Sequence, residues 1–305
     1  STSIRTTTPR ESNMKKHLLI LLTTFMAFEY SLQGIEFIEP SNQINKIVKS
    51  TKEIHLHEYP GAWNPSIVKF ETGYLLTFRW APKRIEEPWV SYLGIVLLND
   101  SFDPITKPEL LDTRAYNQTT PSQAEDARIA YIGDKLYVVY NDNMDLVFPS
   151  YWERRDMYIA EIIYENNQFS LSKPLCLTHK TKYRDRPWQK NWTPFDWNGK
   201  LMLSYSINPH EVIIPNLETG LCAPLENFQA QISKDSWLFN VWEYDSLRGG
   251  TPAQLVDGEY LAFFHSGIIT RTACSEYYDI WHYLVGAYTF SAAPPFGITK
   301  ASSTH

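Results

Sequence analysis

A phrase of apolar strand, tight turn and aromatic-rich strand occurs four times in the chain, and it constrains the fold more than any other feature. The copies span residues 66–79, 127–140, 193–205 and 252–265. Each has a glycine in its turn, as is typical of a β-hairpin. The spacing of roughly 60 residues indicates a structural repeat. The pattern predicts a β-propeller, in which four-stranded sheets are arranged around an axis.

Each hairpin is followed by at least one more segment with strand character. These segments are residues 92–98, 157–164, 211–215 and 283–291. Period-two alternation and β-branched or aromatic residues favour strands throughout, and no helix is predicted after the N-terminal segment. We expect an all-β propeller domain over residues 52–305. Because the chain ends where another blade would begin, we expect the last blade to be incomplete and the ring to be open.

The N-terminal segment resembles a secretory leader. Met14 precedes a basic stretch at residues 15–17, an apolar run at 18–28 and a polar stretch at 29–34. The run is short for a membrane span and fits a signal peptide. We therefore predict a leader at residues 1–34 with an upstream extension, and export of the chain to the periplasm, the exterior or a secretory pathway. The alternative is a buried N-terminal strand or helix in a cytoplasmic protein, and an uncleaved leader would provide the only membrane attachment.

Composition excludes several classes of function. The formal net charge is −6 with no basic stripe, which argues against nucleic-acid binding. The 3 cysteines lie far apart without C-x-x-C spacing, so we expect no metal site and no cofactor. Aromatic residues make up 14% of the chain; most should pack in the core, and the remainder could stack on sugars. No G-x-S-x-G, Walker or dinucleotide-binding motif is present.

Polar residues recur at two equivalent positions of the repeats, before the first strand or at the end of the second. They are Asn64 and Arg79; Glu125, Asp126 and Arg128; Lys190, Asn191 and Trp192; and Arg248 and His265. Equivalent positions of a radial repeat lie on one rim, so these side chains should converge on a single mouth. The alternative for each residue alone is a turn cap or a surface ion pair.

The adjacent acids Glu125 and Asp126 stand at a strand start, where neighbouring side chains point to opposite faces. One carboxyl can thus face the cleft. In an aromatic-lined site we expect its pKa to be raised, which suits a general acid. The cations predicted to bind phosphate are Arg128, Lys190, Arg184 and Arg186. Residues 184–186 could instead form a solvated charged turn.

Four phrases of the sequence resemble glycoside hydrolase family 130. They are Asn64-Pro65-Ser66, Glu125-Asp126-x-Arg128, Lys190-Asn191-Trp192-x-Pro194-Phe195, and Arg248-Gly249-Gly250-Thr251-Pro252-Ala253 with Phe264-His265-Ser266. That family includes β-mannoside phosphorylases and β-1,2-mannosidases, and related mannosyltransferases share its fold. The resemblance extends over residues 55–300. It implies a five-bladed propeller, an active site in the central cleft, inversion at the anomeric carbon and no metal requirement.

The resemblance also implies roles for individual residues. Asp126 matches the general acid, which in the phosphorylases acts through a substrate hydroxyl, and Glu125 matches a sugar-contacting acid. Polar groups that line the cleft or bind the glycone or phosphate are matched by Asn64, Arg79, Arg128, Lys190, Asn191, Trp192, Arg248 and His265. Ala127 replaces the proline usual after the acid pair, and Arg248-Gly249-Gly250 departs from Gly-Ala-Gly. These departures indicate a divergent member.

We therefore expect an inverting carbohydrate-active enzyme acting on β-mannosides or related glycosides, with Asp126 as general acid. Phosphorolysis or glycosyl transfer would use inorganic phosphate as a co-substrate. Hydrolysis would need a second carboxylate, for which Glu211 and Glu243 are candidates. The alternatives are a non-catalytic glycan-binding propeller and a structural propeller. The expected partner is an oligosaccharide or glycoside, and the sequence leaves the oligomeric state open.

Overall fold

A computed structural model describes residues 50–83, 90–114, 122–143, 155–179, 188–225, 242, 246–271 and 276–302. The chain divides into two units, Ser1–Glu53 and Ile54–His305, and the second contains nearly all of the described residues. The predicted leader at residues 1–34 lies outside them. In the described part of the chain, no helix is long and apolar enough to cross a membrane.

The described regular structure consists of β-strands. Their bounds are β1 Trp63–Phe70, β2 Gly73–Trp80, β3 Tyr92–Leu98, β4 Glu109–Leu110, β5 Glu125–Ile132, β6 Lys135–Asp142, β7 Asp156–Glu165, β8 Gln168–Leu171, β9 Leu175–His179, β10 Thr193–Trp197, β11 Lys200–Ile207, β12 His210–Pro215, β13 Leu221–Pro224, β14 Arg248–Gly249, β15 Gln254–Val256, β16 Glu259–Thr270, β17 Ile280–Ser291 and β18 Ile298–Ala301. This agrees with the prediction of an all-β chain.

The strands form four blades in sequence order. Blade 1 is β1-β2-β3-β4, and blade 2 is β5-β6-β7-β9 with β8 paired to β7. Blade 3 is β10-β11-β12-β13, and blade 4 is β16-β17-β18, with β14 and β15 both paired to β16 along its inner edge. All pairings within a blade are antiparallel, whereas the outer strands β9 and β13 pair in parallel and join blades 2 and 3. Each predicted repeat supplies the two inner strands of one blade.

The hairpin turns explain why the repeat is visible in the sequence. Asn198 and Gly199 both have positive φ, at 51° and 75°, and Asp257 and Gly258 have 50° and 82°. Two successive residues of positive φ form the type I′ turn whose twist matches that of paired strands. Asn, Asp and Gly are the residues that tolerate this conformation. These turns therefore fix where the inner hairpins of blades 3 and 4 reverse.

Neighbouring blades pack face to face through apolar side chains. Leu75, Ile95 and Val138 lie in the core shared by blades 1 and 2, and Phe195 and Phe264 lie in the core shared by blades 3 and 4. The second face of blade 1 carries a smaller cluster that includes residues of the preceding segment, 54–62.

The second face of blade 4 carries large apolar side chains that are exposed. The exposed side chains there include Phe263, Ile269, Trp281, Tyr283 and Val285. Antiparallel pairs such as Phe263 with Ala287, His265 with Val285 and Ile269 with Trp281 place these residues on one side of the sheet. The described residues contain no strand beyond the four blades.

Candidate active site

The candidate site is built on a backbone irregularity that recurs in adjacent blades. The pairing register shifts between Trp63 and Ser66 in blade 1 and between Glu125 and Arg128 in blade 2, so each inner strand has a bulge at its start. Within the bulges, Asn64 and Asp126 adopt left-handed φ values of 49° and 56°. A bulge redirects a side chain out of the alternation of the strand, and left-handed non-glycine residues concentrate at functional sites.

The bulges bring two predicted site residues into direct contact. The side-chain Nδ2 of Asn64 donates a hydrogen bond of 2.6 Å to Oδ1 of Asp126, although the residues are 62 positions apart. Nη1 of Arg79 lies 3.4 Å from the same oxygen. Asn191, which precedes blade 3, also has a left-handed φ of 62°. The same backbone conformation thus occurs at the entry of three successive blades.

Glu125 is buried at the centre of a group of cations. Its Oε1 accepts a 2.6 Å hydrogen bond from Nη2 of Arg79 and lies 3.3 Å from Nη2 of Arg155, and its Oε2 accepts a 2.7 Å bond from Nζ of Lys190. We call Arg79, Glu125, Asp126, Arg155 and Lys190 the carboxylate cluster. A buried carboxylate is costly unless it is paired, and here both oxygens are occupied. Glu125 therefore anchors Arg79, Arg155 and Lys190.

Arg128 lies below the cluster and is itself buried. Its Nη1 donates to the backbone carbonyls of Asp126 and Ala127, at 2.9 and 3.2 Å. Its Nε, also buried, has no hydrogen-bond partner among the described residues. Arg128 also lines a cavity of about 410 Å³ between β1 and the inner edge of blade 4. A buried donor without a partner is costly, and an anion would satisfy it.

Blade 4 contributes Arg248 and His265, which pair across β14 and β16. Burial and the nearby charges of Arg128 and Arg248 lower the pKa of His265 to about 4, against an opposing effect of Asp126. The ring of His265 is thus neutral at pH 7. These couplings place His265 within electrostatic range of Asp126 and Arg128.

The predicted direction of the pKa of Asp126 is wrong. Burial does raise it, but the charges of Arg79, Arg128 and Lys190 and the Asn64 hydrogen bond hold the pKa below its ordinary value. An aromatic-lined site was expected to favour the protonated acid. The cations that reverse this expectation come from three different blades or blade entries. The positions in the repeat predict all three at the same mouth, but the prediction did not weigh their effect on this pKa.

Three tryptophans stand next to the cations of the site. Trp63 lies 4.9 Å from the Arg79 guanidinium, Trp188 lies 5.1 Å from Nζ of Lys190, and Trp281 lies 5.6 Å from the Arg248 guanidinium. Such cation–π contacts hold the long cationic side chains in place. They also put aromatic surface beside the polar groups.

Trp192 does not belong to the site, which corrects the prediction that it binds substrate. Its side chain is 1% exposed and packs with Leu203 and Ile213 in the core between blades 2 and 3, edge-on to Tyr205. Trp192 directly precedes β10 and follows Asn191, whose backbone is left-handed. Glu211, a candidate base, lies 3.3 Å from Nε2 of His179. Arg184, Arg186 and Glu243 lie outside the described residues.

Sequence reasoning missed Arg155, which stands at the start of the third strand of blade 2. The prediction considered only the entry and the end of each inner hairpin. Arg155 directly precedes β7, which is separated from β5 by β6, so its position in the repeat gives no indication that it reaches Glu125. The available signal was an arginine directly before a strand that is otherwise apolar, Met157 to Ala160.

No protein-family model matches the chain. No curated protein matches it in sequence.

Solved structures do resemble it. A glycosyl hydrolase from Bacteroides ovatus is 13% identical with a TM-score of 0.51, covering 80% of this chain and 70% of that one. A proposed glycoside hydrolase from Parabacteroides distasonis is 15% identical with a TM-score of 0.53, covering 80% and 72%.

A third structure comes from work showing that the GH130 family of mannoside phosphorylases contains glycoside hydrolases that target β-1,2-mannosidic linkages in Candida mannan. It is 14% identical to this chain with a TM-score of 0.55, covering 80% of this chain and 70% of that one. At such identities the similarity establishes the fold alone. That fold is the glycosidase-type β-propeller that the sequence repeats predict.

Proposed function

We propose that this chain is an inverting carbohydrate-active enzyme that acts on β-mannosides or related glycosides, with Asp126 as the general acid and inorganic phosphate as the nucleophile. The fold shared with glycoside hydrolases supports the substrate class. One observation carries the proposal. A carboxyl in a left-handed bulge faces Arg79, Arg128 and Lys190, and the buried Nε of Arg128 has no partner in the described part of the chain.

The lowered pKa of Asp126 gives phosphate a second role. A general acid must carry its proton when the glycosidic bond breaks, but the cations favour the ionised form of Asp126. A phosphate dianion bound by Arg128 and Lys190 would offset their positive charges. The pKa of Asp126 would then rise, since a nearby negative charge favours the neutral acid. Binding of the nucleophile and protonation of the acid would thus be coupled.

The proposed reaction is balanced without a cofactor. A phosphate oxygen attacks the anomeric carbon as the bond from that carbon to the leaving oxygen breaks. The leaving oxygen receives the proton of Asp126, either directly or through a substrate hydroxyl. The products are a sugar 1-phosphate of inverted configuration and the free acceptor. The reverse direction is glycosyl transfer from a sugar 1-phosphate.

The carboxylates of the described residues favour phosphorolysis over hydrolysis. Inversion by water needs a second carboxylate that acts as a base. Both oxygens of Glu125 are held by cations, and Glu211 is placed against His179. Phosphate is already a nucleophile and needs binding cations instead, which Arg128 and Lys190 supply.

The alternative is a glycan-binding propeller without catalysis, and the lowered pKa of Asp126 favours it in one respect. An ionised carboxylate accepts hydrogen bonds from sugar hydroxyls and needs no proton to do so. This alternative keeps the tryptophans and the cations but assigns no reaction to Asp126.

A product assay distinguishes these proposals. The protein would be incubated with a panel of β-mannosides, and with mannose 1-phosphate plus acceptors, with and without phosphate, while NMR follows the anomeric signals. We expect sugar 1-phosphate only when phosphate is present, and none from the Asp126→Asn variant. Free sugar formed without phosphate would replace phosphorolysis by hydrolysis. Saccharide binding without any product, equal in both proteins, would favour the glycan-binding alternative.

A further inference from the structure

Arg155 is the member of the carboxylate cluster that links Glu125, the residues just before it and the segment just before Lys190. Its guanidinium Nη2 lies 3.3 Å from Oε1 of Glu125, and its Nη1 donates to the backbone carbonyl of Gln123, two residues before Glu125. The side chain is fully buried. A planar guanidinium can reach both acceptors at once, whereas an ammonium group cannot reproduce this geometry.

The backbone of Arg155 holds a third segment. Its carbonyl accepts a 2.8 Å hydrogen bond from the amide of Gln189, and Arg155 forms a parallel bridge with Trp188. Lys190 follows directly and bonds to the other oxygen of Glu125. One residue thus fixes the carboxylate of Glu125, the strand that carries it and the segment that brings Lys190 to it.

The cluster transmits this arrangement to Asp126. Arg79 contacts both acids. Its Nη2 lies 2.6 Å from Oε1 of Glu125, and its Nη1 lies 3.4 Å from Oδ1 of Asp126. Lys190 bonds to Glu125 and also acts electrostatically on Asp126. If Glu125 lost Arg155, Arg79 and Lys190 would be drawn further toward Glu125, because its charge would have fewer partners. They would then act less on Asp126.

We propose that Arg155 is a positioning residue, which places Glu125 and the segment before Lys190 so that Arg79 and Lys190 face Asp126. The consequence for the general acid rests on the proposed function, whereas the positioning itself does not. Arg155 touches neither the cavity nor Asp126 in any contact that the structure describes, and it acts through its neighbours.

The test is a titration of Asp126 that needs no turnover. Protein labelled with ¹³C at aspartate carboxyls would be titrated by NMR, with the Asp126 signal assigned from its loss in Asp126→Asn. The groups that face Asp126 are Arg79, Arg128, Lys190, Asn64 and His265. We expect Arg155→Met to raise the pKa of Asp126 by up to about one unit, and Arg155→Lys to raise it less.

Phosphate affinity provides the second readout. With Lys190 displaced, we expect the Kd for inorganic phosphate, measured by calorimetry, to rise roughly tenfold in Arg155→Met. Arg271→Met is the control, because it removes an exposed arginine that makes two hydrogen bonds to a single carboxylate, that of Asp279. That variant should change neither the pKa of Asp126 nor the phosphate affinity.

The outcomes separate positioning from a structural role. An unchanged pKa of Asp126 and an unchanged phosphate affinity, with only a lower melting temperature, would overturn the proposal. If Arg155→Met does not fold, the same two readouts in Arg155→Lys decide. A wild-type protein that turns over no glycoside would overturn the proposed function alone, since the titration would still assign or reject the role of Arg155.

Discussion

The interface between blades 1 and 2 and the interface between blades 3 and 4 are both closed by buried polar groups, but they use opposite chemistry. At the first, Arg79 of blade 1 binds the ionisable side chain of Glu125 in blade 2. At the second, Nδ1 of His210 in blade 3 donates to the carbonyl of Phe296 in blade 4, and its Nε2 accepts from Ser204. Around the histidine, Phe195 and Phe290 pack with ring centroids 5.3 Å apart.

The difference indicates which interface gives up stability to place charged groups at the cleft. A buried ion pair is rarely the most stable solution for joining two sheets, and apolar packing often does as well or better. The aromatic interface shows that this chain can join blades without charge. The charged interface is therefore explained by what it presents to the cleft, which is Asp126 among cations.

The largest expected effect is on turnover, and it tests the charged interface directly. Asp126→Asn should lower the rate of glycoside cleavage by about 10²–10⁴-fold, the usual contribution of a general acid. The fold should survive, because asparagine tolerates the left-handed φ of 56° at this position. Kinetics and thermal melting of the same sample check both parts. A large loss of melting temperature would instead show that Asp126 is needed mainly for the folded structure of the bulge.

Glu125→Gln, in contrast to Asp126→Asn, should lower the stability of the fold. Removing one charge of a buried group leaves Arg155 and Lys190 without their carboxylate, which costs about 3–5 kcal/mol. Urea unfolding measures this free energy. The control is Glu161→Gln, which breaks the exposed pair with Lys135, 2.9 Å long, and should cost about 0–1 kcal/mol. Equal costs for both variants would show that the carboxylate cluster does not hold the blades together.

The sequence predicts the blades well because their signals are local. The turn at Asn198 and Gly199 needs two residues that tolerate positive φ, and both are visible in the chain. The strands predicted at residues 92–98 and 211–215 are observed as Tyr92–Leu98 and His210–Pro215. Alternation and turn chemistry act over a few residues, so a single sequence contains them.

The site was only partly predictable, because its electrostatics come from distant segments. The equivalent positions in the repeats gave Asn64, Arg79 and Asp126, which do meet. The same reasoning misplaced Trp192, since a position in the repeat does not show which way a side chain points at a blade entry. It also gave the wrong direction for the pKa of Asp126, because it weighed burial alone and not the charges of the three cations, two of which reach that carboxyl from other blades or blade entries.

The aromatic interface makes the stability of the folded state depend on pH. Burial lowers the pKa of His210 to about 4, against the hydrogen bond to Phe296, which raises it. His210 therefore binds a proton near pH 6.5 in the unfolded chain but only near pH 4 in the folded chain. The neutral histidine thus contributes about 3 kcal/mol to the free energy of unfolding. This contribution is fully present above pH 6.5 and is lost as the pH falls to 4.

Unfolding of His210→Asn across the same pH range isolates that contribution. The variant should be less stable than the wild type at pH 7 but should lose less stability on acidification. His265 also has a pKa near 4, so His265→Asn serves as the comparison for a histidine of the candidate site. If the slope between pH 6.5 and 4 is unchanged in His210→Asn, the histidine does not hold the aromatic interface in its neutral form.

The smallest expected effect sharpens the comparison, because it concerns a neutral bond within the charged interface. Oγ of Ser66, a buried side chain in blade 1, accepts a 3.0 Å hydrogen bond from the backbone amide of Ile129 in blade 2. Ser66→Ala leaves that buried amide without its acceptor and should cost about 1–3 kcal/mol in urea unfolding. A cost below that of Glu125→Gln means that the charges dominate this interface. A cost equal to it means that the backbone bonds at the bulge join the blades, and that the ion pairs serve the cleft alone.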